Sequence, residues 1–392
     1  MTRRPVSRLV AIRLLFGLVV AAVTILLTPA RADAHAVMVS SIPAAGSTVG
    51  TTPEMVVLRF DEPLAATLSH AEVVDPTGRQ FTAAVVGEMM HVRVDSTVPG
   101  DYRVTWTTVS EVDGHTITGG FDFGVGVAVA SGARSGVRGP TPADLALAVI
   151  RSIEYAVLLL ACGLVTLRRI ARGLPVREPA IAVAISLLAS AAAVVATEAS
   201  LATTRPSLAA LGDYLTIGVT GPARLAALVL AAALVVLAAR RRALSPILVA
   251  GIVIALSAAG HAANVDPGWF GIAVNALHVG ASGVWAGGIM ALAAQWWAGA
   301  RPLVRRALLA RFARVAPWAF ALSLGMGLLE ATQLIGGLDG FLQTGYGRTL
   351  AVKGAFVAGM TMLSVMALRR RPMVRTEAAL AVMVVAAAAA LA

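Results

Sequence analysis

Tyr102-Arg103-Val104-Thr105-Trp106 and Gly120-Phe121-Asp122-Phe123 stand on either side of a short run, Asp113-Gly114-His115. In the first flank apolar and polar residues alternate with a period of two. Both flanks carry aromatic side chains, so both read as strands. Moving outward, Met55-Val56-Val57-Leu58-Arg59-Phe60, Ala71-Glu72-Val73-Val74 and His91-Val92-Arg93-Val94 read the same way. Turn signals separate them: Pro43 to Gly46, Asp75-Pro76-Thr77-Gly78 and Pro99-Gly100-Asp101. Several short strands in about ninety residues predict a small antiparallel sandwich or barrel.

The Asp113-Gly114-His115 run carries the chemistry. In an extended segment residues two apart face the same way, so a carboxylate and an imidazole would project side by side. Asp-Gly is also a turn signal, and the pair alone leaves both readings open. A further donor lies upstream. Arg3, Arg4 and Arg8 precede an apolar run from Leu9 to Leu27, which ends in Ala32-Asp33-Ala34. These are the three parts of a secretory signal peptide, expected over residues 1–34. An uncleaved first membrane helix is the competing reading. Cleavage would make His35 the new N-terminus, with an α-amino group beside its imidazole. Those two nitrogens, with Asp113 and His115, make an N/O set of about four donors that suits Cu(II) better than Cu(I). Met89-Met90-His91 offers soft donors, but adjacent residues on a strand face opposite ways, so packing is the simpler reading. His70 and His91 read as surface residues.

Beyond residue 126 the solvent changes. Residues 127–143 include a Gly-, Ser- and Pro-rich stretch and read as a linker. Apolar segments follow at 145–167, 178–200, 222–239, 245–263, 269–293, 315–335, 347–368 and 376–392, predicting about eight membrane helices over 144–392. The chain is 58% hydrophobic and only 14% charged, far below the charge of a soluble protein. Its net charge of +11 comes from arginines clustered in alternate loops: Arg168 to Arg177, Arg240 to Arg242, Arg301 to Arg314 and Arg369 to Arg375. That pattern orients helices in a lipid bilayer and argues against nucleic acid. It places the β domain outside the cytoplasmic membrane, in agreement with the signal peptide. A single cysteine, Cys162, lies in an apolar run, so there is no disulfide framework.

Polar residues inside such helices are costly and default to functional candidates. Glu154, Glu198, His261 and Glu330 fall toward the outer side, together with Arg151 and Lys353. His278 falls about nine residues into its helix, roughly 13 Å from the end. They are candidates for a copper path through the membrane. Snorkelling or an internal pair such as Arg151 with Glu154 is the alternative.

His35-Ala36, Ser41 to Gly46, Leu58-Arg59-Phe60-Asp61-Glu62-Pro63, Tyr102 to Trp106 and Asp113-Gly114-His115 with Gly119 and Phe121 resemble the CopC copper-resistance family. The resemblance implies a cupredoxin-like, Ig-like β-sandwich over 35–126 that binds Cu(II) through His35, Asp113 and His115, with Glu62 nearby. One departure is an extra residue in Ser110-Glu111-Val112-Asp113, which makes Glu111 a competing carboxylate. Gly260-His261-Ala262, His278 with Trp285-Ala286-Gly287-Gly288, Arg311-Phe312-Ala313-Arg314 and Thr344 to Arg348 with Lys353 resemble the CopD membrane family. A CopC–CopD fusion implies copper capture outside and passage inward, not an enzyme. A copper store or sensor is the alternative, followed by a copper monooxygenase or a b-haem carrier through His261 and His278. Walker A and Cys-Pro-Cys motifs are missing from the sequence, which argues against ATP-driven pumping. The sequence names no protein partner and no oligomeric state.

Overall fold

The computed structural model describes residues 38–111, 116–129, 135–137, 142–202, 207–265 and 267–334. Its first part is built from strands β1 (Met38–Ile42), β2 (Thr48–Val49), β3 (Met55–Phe60), β4 (His70–Val74), β5 (Gln80–Val86), β6 (Met89–Arg93), β7 (Gly100–Val109), β8 (Thr116–Val125) and β9 (Ser135–Val137). They run in the order β1-β3-β6-β5-β4-β7-β8-β2, with β9 also on β8. All the pairs are antiparallel except β2 with β8. The path folds over at β5. Its first residues, Gln80 to Thr82, pair with β4, and its last, Ala83 to Val86, pair with β6. The expected all-β sandwich is therefore present, with one strand shared between its two layers.

Period-two alternation built the core as expected. On β3, Val56, Leu58 and Phe60 are fully buried while Met55 and Arg59 face out. Phe60 meets Trp106 edge-on at 6.4 Å, and Tyr102 stacks on Phe123 at 5.2 Å. Trp106 lies opposite Gly119 in register, and a Cβ on Gly119 would stand 2.2 Å from the indole Cζ2. Only glycine admits the ring there. Met90 is buried in this core while Met89 is exposed, the two-face arrangement expected of adjacent strand residues.

Two features of this part differ from expectation. Strands β1, β2 and β5 were not foreseen, and β9 falls within the stretch read as a linker. His70 is not a solvated surface residue: it starts β4, half-buried, and burial pushes its imidazole pKa below the ordinary value. The Asp75 turn is a polar knot. Asp75 Oδ1 accepts from the Thr77 hydroxyl at 2.6 Å, the Thr77 amide at 2.9 Å and the Arg79 amide at 3.0 Å; Oδ2 accepts from Ser96 at 2.9 Å. The Thr77 hydroxyl above all, with the other donors, holds the Asp75 carboxyl at about 2.

Helices follow: α1 (Pro142–Ala171), α2 (Ala180–Leu201), α3 (Leu208–Thr216), α4 (Thr220–Arg241), α5 (Pro246–Ala258), α6 (Gly268–Ser282), α7 (Gly288–Trp297), α8 (Pro302–Phe312) and α9 (Ala316–Leu334). A 3₁₀ turn at His261–Asn264 precedes α6, and a π-helical turn at Gly283–Gly287 joins α6 to α7. Leu145–Ala171, Ala180–Leu201, Thr220–Arg241 and Gly268–Trp297 are long and apolar enough to cross a membrane. Helices α8 and α9, bent by 46°, add a fifth span if they act together. The basic stretch Arg301 to Arg314, read as a loop, is largely helix α8, with Pro302 in its first turn. Helix α3 was not foreseen; Ser207 caps it by accepting from the Ala210 amide at 3.1 Å. The expected segments 347–368 and 376–392 lie outside the described residues.

Leucine and alanine fill the bundle interior, and small residues bring backbones together. A Cβ on Gly287 would stand 1.8 Å from the Leu159 carbonyl oxygen, so α1 and the π turn touch main chain to main chain. Cys162 is a buried residue at the same crossing, beside Gly283, as its apolar context suggested.

Candidate metal centre

The three leading ligand candidates, His35, Asp113 and His115, lie outside the described residues. The frame around them is described. Strand β7 ends at Val109 and β8 begins at Thr116, with these two residues paired across the hairpin. Asp113 and His115 belong to the connection between them. Ser69 fixes the end of β7, donating to the Val109 carbonyl at 3.2 Å and accepting from the Val109 amide at 2.9 Å.

Glu62 and Glu111, the additional candidates, separate clearly. Ser110, fully buried, donates its hydroxyl to Glu62 Oε2 at 2.6 Å. Leu64 bridges Ser110, and the Glu111 amide donates to the Pro63 carbonyl at 2.9 Å. The Leu58 to Pro63 motif and the start of the D-G-H connection are therefore bound together, with the Glu62 carboxylate beside them. Glu111 is exposed. Among the described residues, no three His, Cys, Asp or Glu side chains gather as a metal centre.

The membrane candidates sort by partner. Glu154 on α1 is fully buried and pairs with Arg224 on α4, whose Nη1 donates at 3.1 Å. Glu154 thus has an ion-pair partner across the bundle, 70 positions away in the chain. Glu198 on α2 accepts a hydrogen bond from the Tyr214 hydroxyl on α3. Glu330 on α9 accepts from Asn275 Nδ2 on α6 at 2.6 Å. His278 Nδ1 meets the Ser323 carbonyl at 2.7 Å. His261 sits in the 3₁₀ turn between α5 and α6. Sequence reading missed Arg224, Tyr214 and Asn275. Arg224 stood at a segment end, Tyr214 fell between segments, and an asparagine within an apolar run gives no periodic signal.

Residues 38–126 match the family model for the CopC domain. They form a CopC domain. Across 376 residues the chain is 27% identical to "Copper transport protein CutJ" of Bacillus subtilis (strain 168), covering 86% of this chain and 68% of the relative. The crystal structure of CopC from Methylosinus trichosporium OB3b is 26% identical, covers 23% of this chain and 93% of that one, and has a TM-score of 0.22. A CopC domain followed by several membrane-length helices is the CopC–CopD arrangement expected from the sequence, and it makes the chain a multi-pass membrane protein.

Proposed function

We propose that this protein captures Cu(II) outside the cytoplasmic membrane and passes copper inward through its helices. The observation that carries the reading is the span of the CutJ likeness. It runs across 86% of the chain, so one relative named for copper transport accounts for both the CopC domain and the helices. His35, freed by signal cleavage after Ala34, supplies the α-amino and imidazole nitrogens; Asp113 and His115 complete the set. Glu62, hydrogen-bonded to Ser110 at 2.6 Å, fits a role in holding the D-G-H connection or in coordination. Glu111, exposed at the start of the connection, is the alternative carboxylate to Asp113. Arginine-rich loops on alternate sides support an extracytoplasmic CopC domain. The reading is of a transporter, not an enzyme.

The test is copper uptake into proteoliposomes, with mature N-terminal sequencing as its companion. Import predicts uptake by the whole chain, a mature start at His35, and loss of uptake at limiting copper when His35, Asp113 and His115 are all replaced by alanine. Tight copper binding without uptake would make the protein a store or sensor.

A further inference from the structure

Helix α6 places Asn275, His278 and Ser282 three and four residues apart, on one face. Helix α9 answers with Ser323, Gly327 and Glu330, spaced four and three. The two rows form a ladder of polar contacts. Ser257 of α5 donates to Asn275 Oδ1 at 2.9 Å, and Asn275 Nδ2 donates to Glu330 Oε1 at 2.6 Å. One turn on, His278 Nδ1 meets the Ser323 carbonyl at 2.7 Å; Ser282 and Ser323 then share a hydrogen bond at 2.6 Å. From Asn275 to Ser282 the ladder covers about 10 Å along an apolar helix. Polar groups at such a position are costly. The helix then breaks into the π turn at Gly283–Gly287, a departure common at functional sites.

The hydrogen bonds fix chemistry as well as position. A carbonyl oxygen only accepts, so the Ser323 carbonyl puts the proton on His278 Nδ1 and the neutral ring's lone pair on Nε2. The ring lies against Gly327, where a Cβ would stand 2.6 Å from Cε1, so no other residue leaves it room. Asn275 is oriented by the Ser257 hydroxyl and turns its amide N–H toward Glu330, which steadies the carboxylate. Glu330 is half-buried, and the two buried acids of the helices, Glu154 and Glu198, have partners of their own. Glu154 has Arg224 as counter-charge, and Glu198 is held by Tyr214.

We propose that the transported cation crosses this part of the membrane along the α6–α9 seam, passing between the Glu330 carboxylate and His278 Nε2. Asn275 and the Ser323 carbonyl act as positioning groups. A carboxylate and an imidazole suit a divalent, borderline cation such as Cu(II) better than a cuprous ion. The inference rests on the transport reading and narrows it to one seam.

Two measurements on the full chain test it. The first is Cu(II) uptake into proteoliposomes without reductant, comparing wild type with His278→Gln and Glu330→Gln variants that elute as folded protein. Both variants should lose uptake. Asn275→Ala should weaken apparent affinity by about tenfold and shift the pH profile of uptake, a change that simple misfolding would not produce. Glu198→Gln losing uptake while both seam variants keep it would overturn the proposal. The second is electron paramagnetic resonance of Cu(II) on solubilised protein carrying His35→Ala, Asp113→Ala and His115→Ala. A remaining copper signal with nitrogen coupling that disappears in His278→Gln supports the seam, and the absence of any such signal overturns it. Wild type that moves no copper sinks the transport reading and with it the path, while the resonance measurement separately decides whether the seam binds Cu(II).

Discussion

In the CopC domain the interior is apolar, with an aromatic cluster at its centre; in the helices the interior carries Glu154, Arg224, Gln295 and a ladder of serine, asparagine and histidine. Phe60, Trp106 and Phe121 cluster because water expels them. Lipid gives helices no such push, so close backbone contact and hydrogen bonds hold them instead. Gln295 shows the second mode: it accepts from the Arg177 amide at 2.9 Å and donates to the Arg177 carbonyl at 2.8 Å, tying a connecting loop to α7. The contrast teaches that the same kind of substitution should act through different physics in the two regions.

The largest expected effect is in the helices. Glu154→Leu removes the counter-charge of buried Arg224 and should cost about 3–5 kcal/mol of stability. The double variant Glu154→Leu with Arg224→Leu should recover most of it, read as the thermal midpoint of solubilised protein. Equal losses from single and double variants would show that charge pairing is not what matters there. A smaller effect belongs to the sandwich. Gly119→Ala sets a methyl group against Trp106 and should cost about 1–3 kcal/mol, an overpacking effect partly relieved by Trp106→Phe. If the alanine is tolerated fully, the core is looser than its geometry implies.

The smallest effect is a pH dependence confined to the CopC domain. Asp75 has a native value of about 2, below its ordinary 3.8. Its stabilising share is complete above the ordinary value and fades as pH falls toward 2. Asp75→Asn should flatten the apo thermal midpoint in that window. The lowered His70 value works in the same sense at higher pH: stability falls as pH drops below the ordinary imidazole value of 6.5, because the unfolded chain takes the proton first. His70→Gln should remove that slope.

How much of this was legible follows the same division. Strands β3, β4, β6, β7 and β8 could be read because one face is wet and the other dry, which writes a period of two into the sequence. Strand β5 escaped because Thr82-Ala83-Ala84 has little contrast between faces, and β1 because its residues were read only as part of a motif. Helix length was legible from hydropathy, yet the π turn was not, since Gly-Val-Trp-Ala-Gly continues the apolar pattern unbroken. At the candidate centre, His35, Asp113 and His115 are the sequence's own proposal and lie outside the described residues. The Ser110–Glu62 bond was not legible, because its partners are 48 positions apart. The same holds for Glu154 with Arg224. A carboxylate in an apolar run announces that it needs a partner without saying which one.

Strand β5 belongs to both layers of the sandwich, pairing with β4 at one end and β6 at the other. Shared membership of this kind couples the opening of the two layers. Neither can peel away without breaking backbone bonds on a strand the other also uses, so slow amide exchange should be lost across both together, as one cooperative unit. A domain that opens only as a whole keeps the two ends of β7, Asp75's side and Glu62's side, in fixed relation for as long as it stays folded.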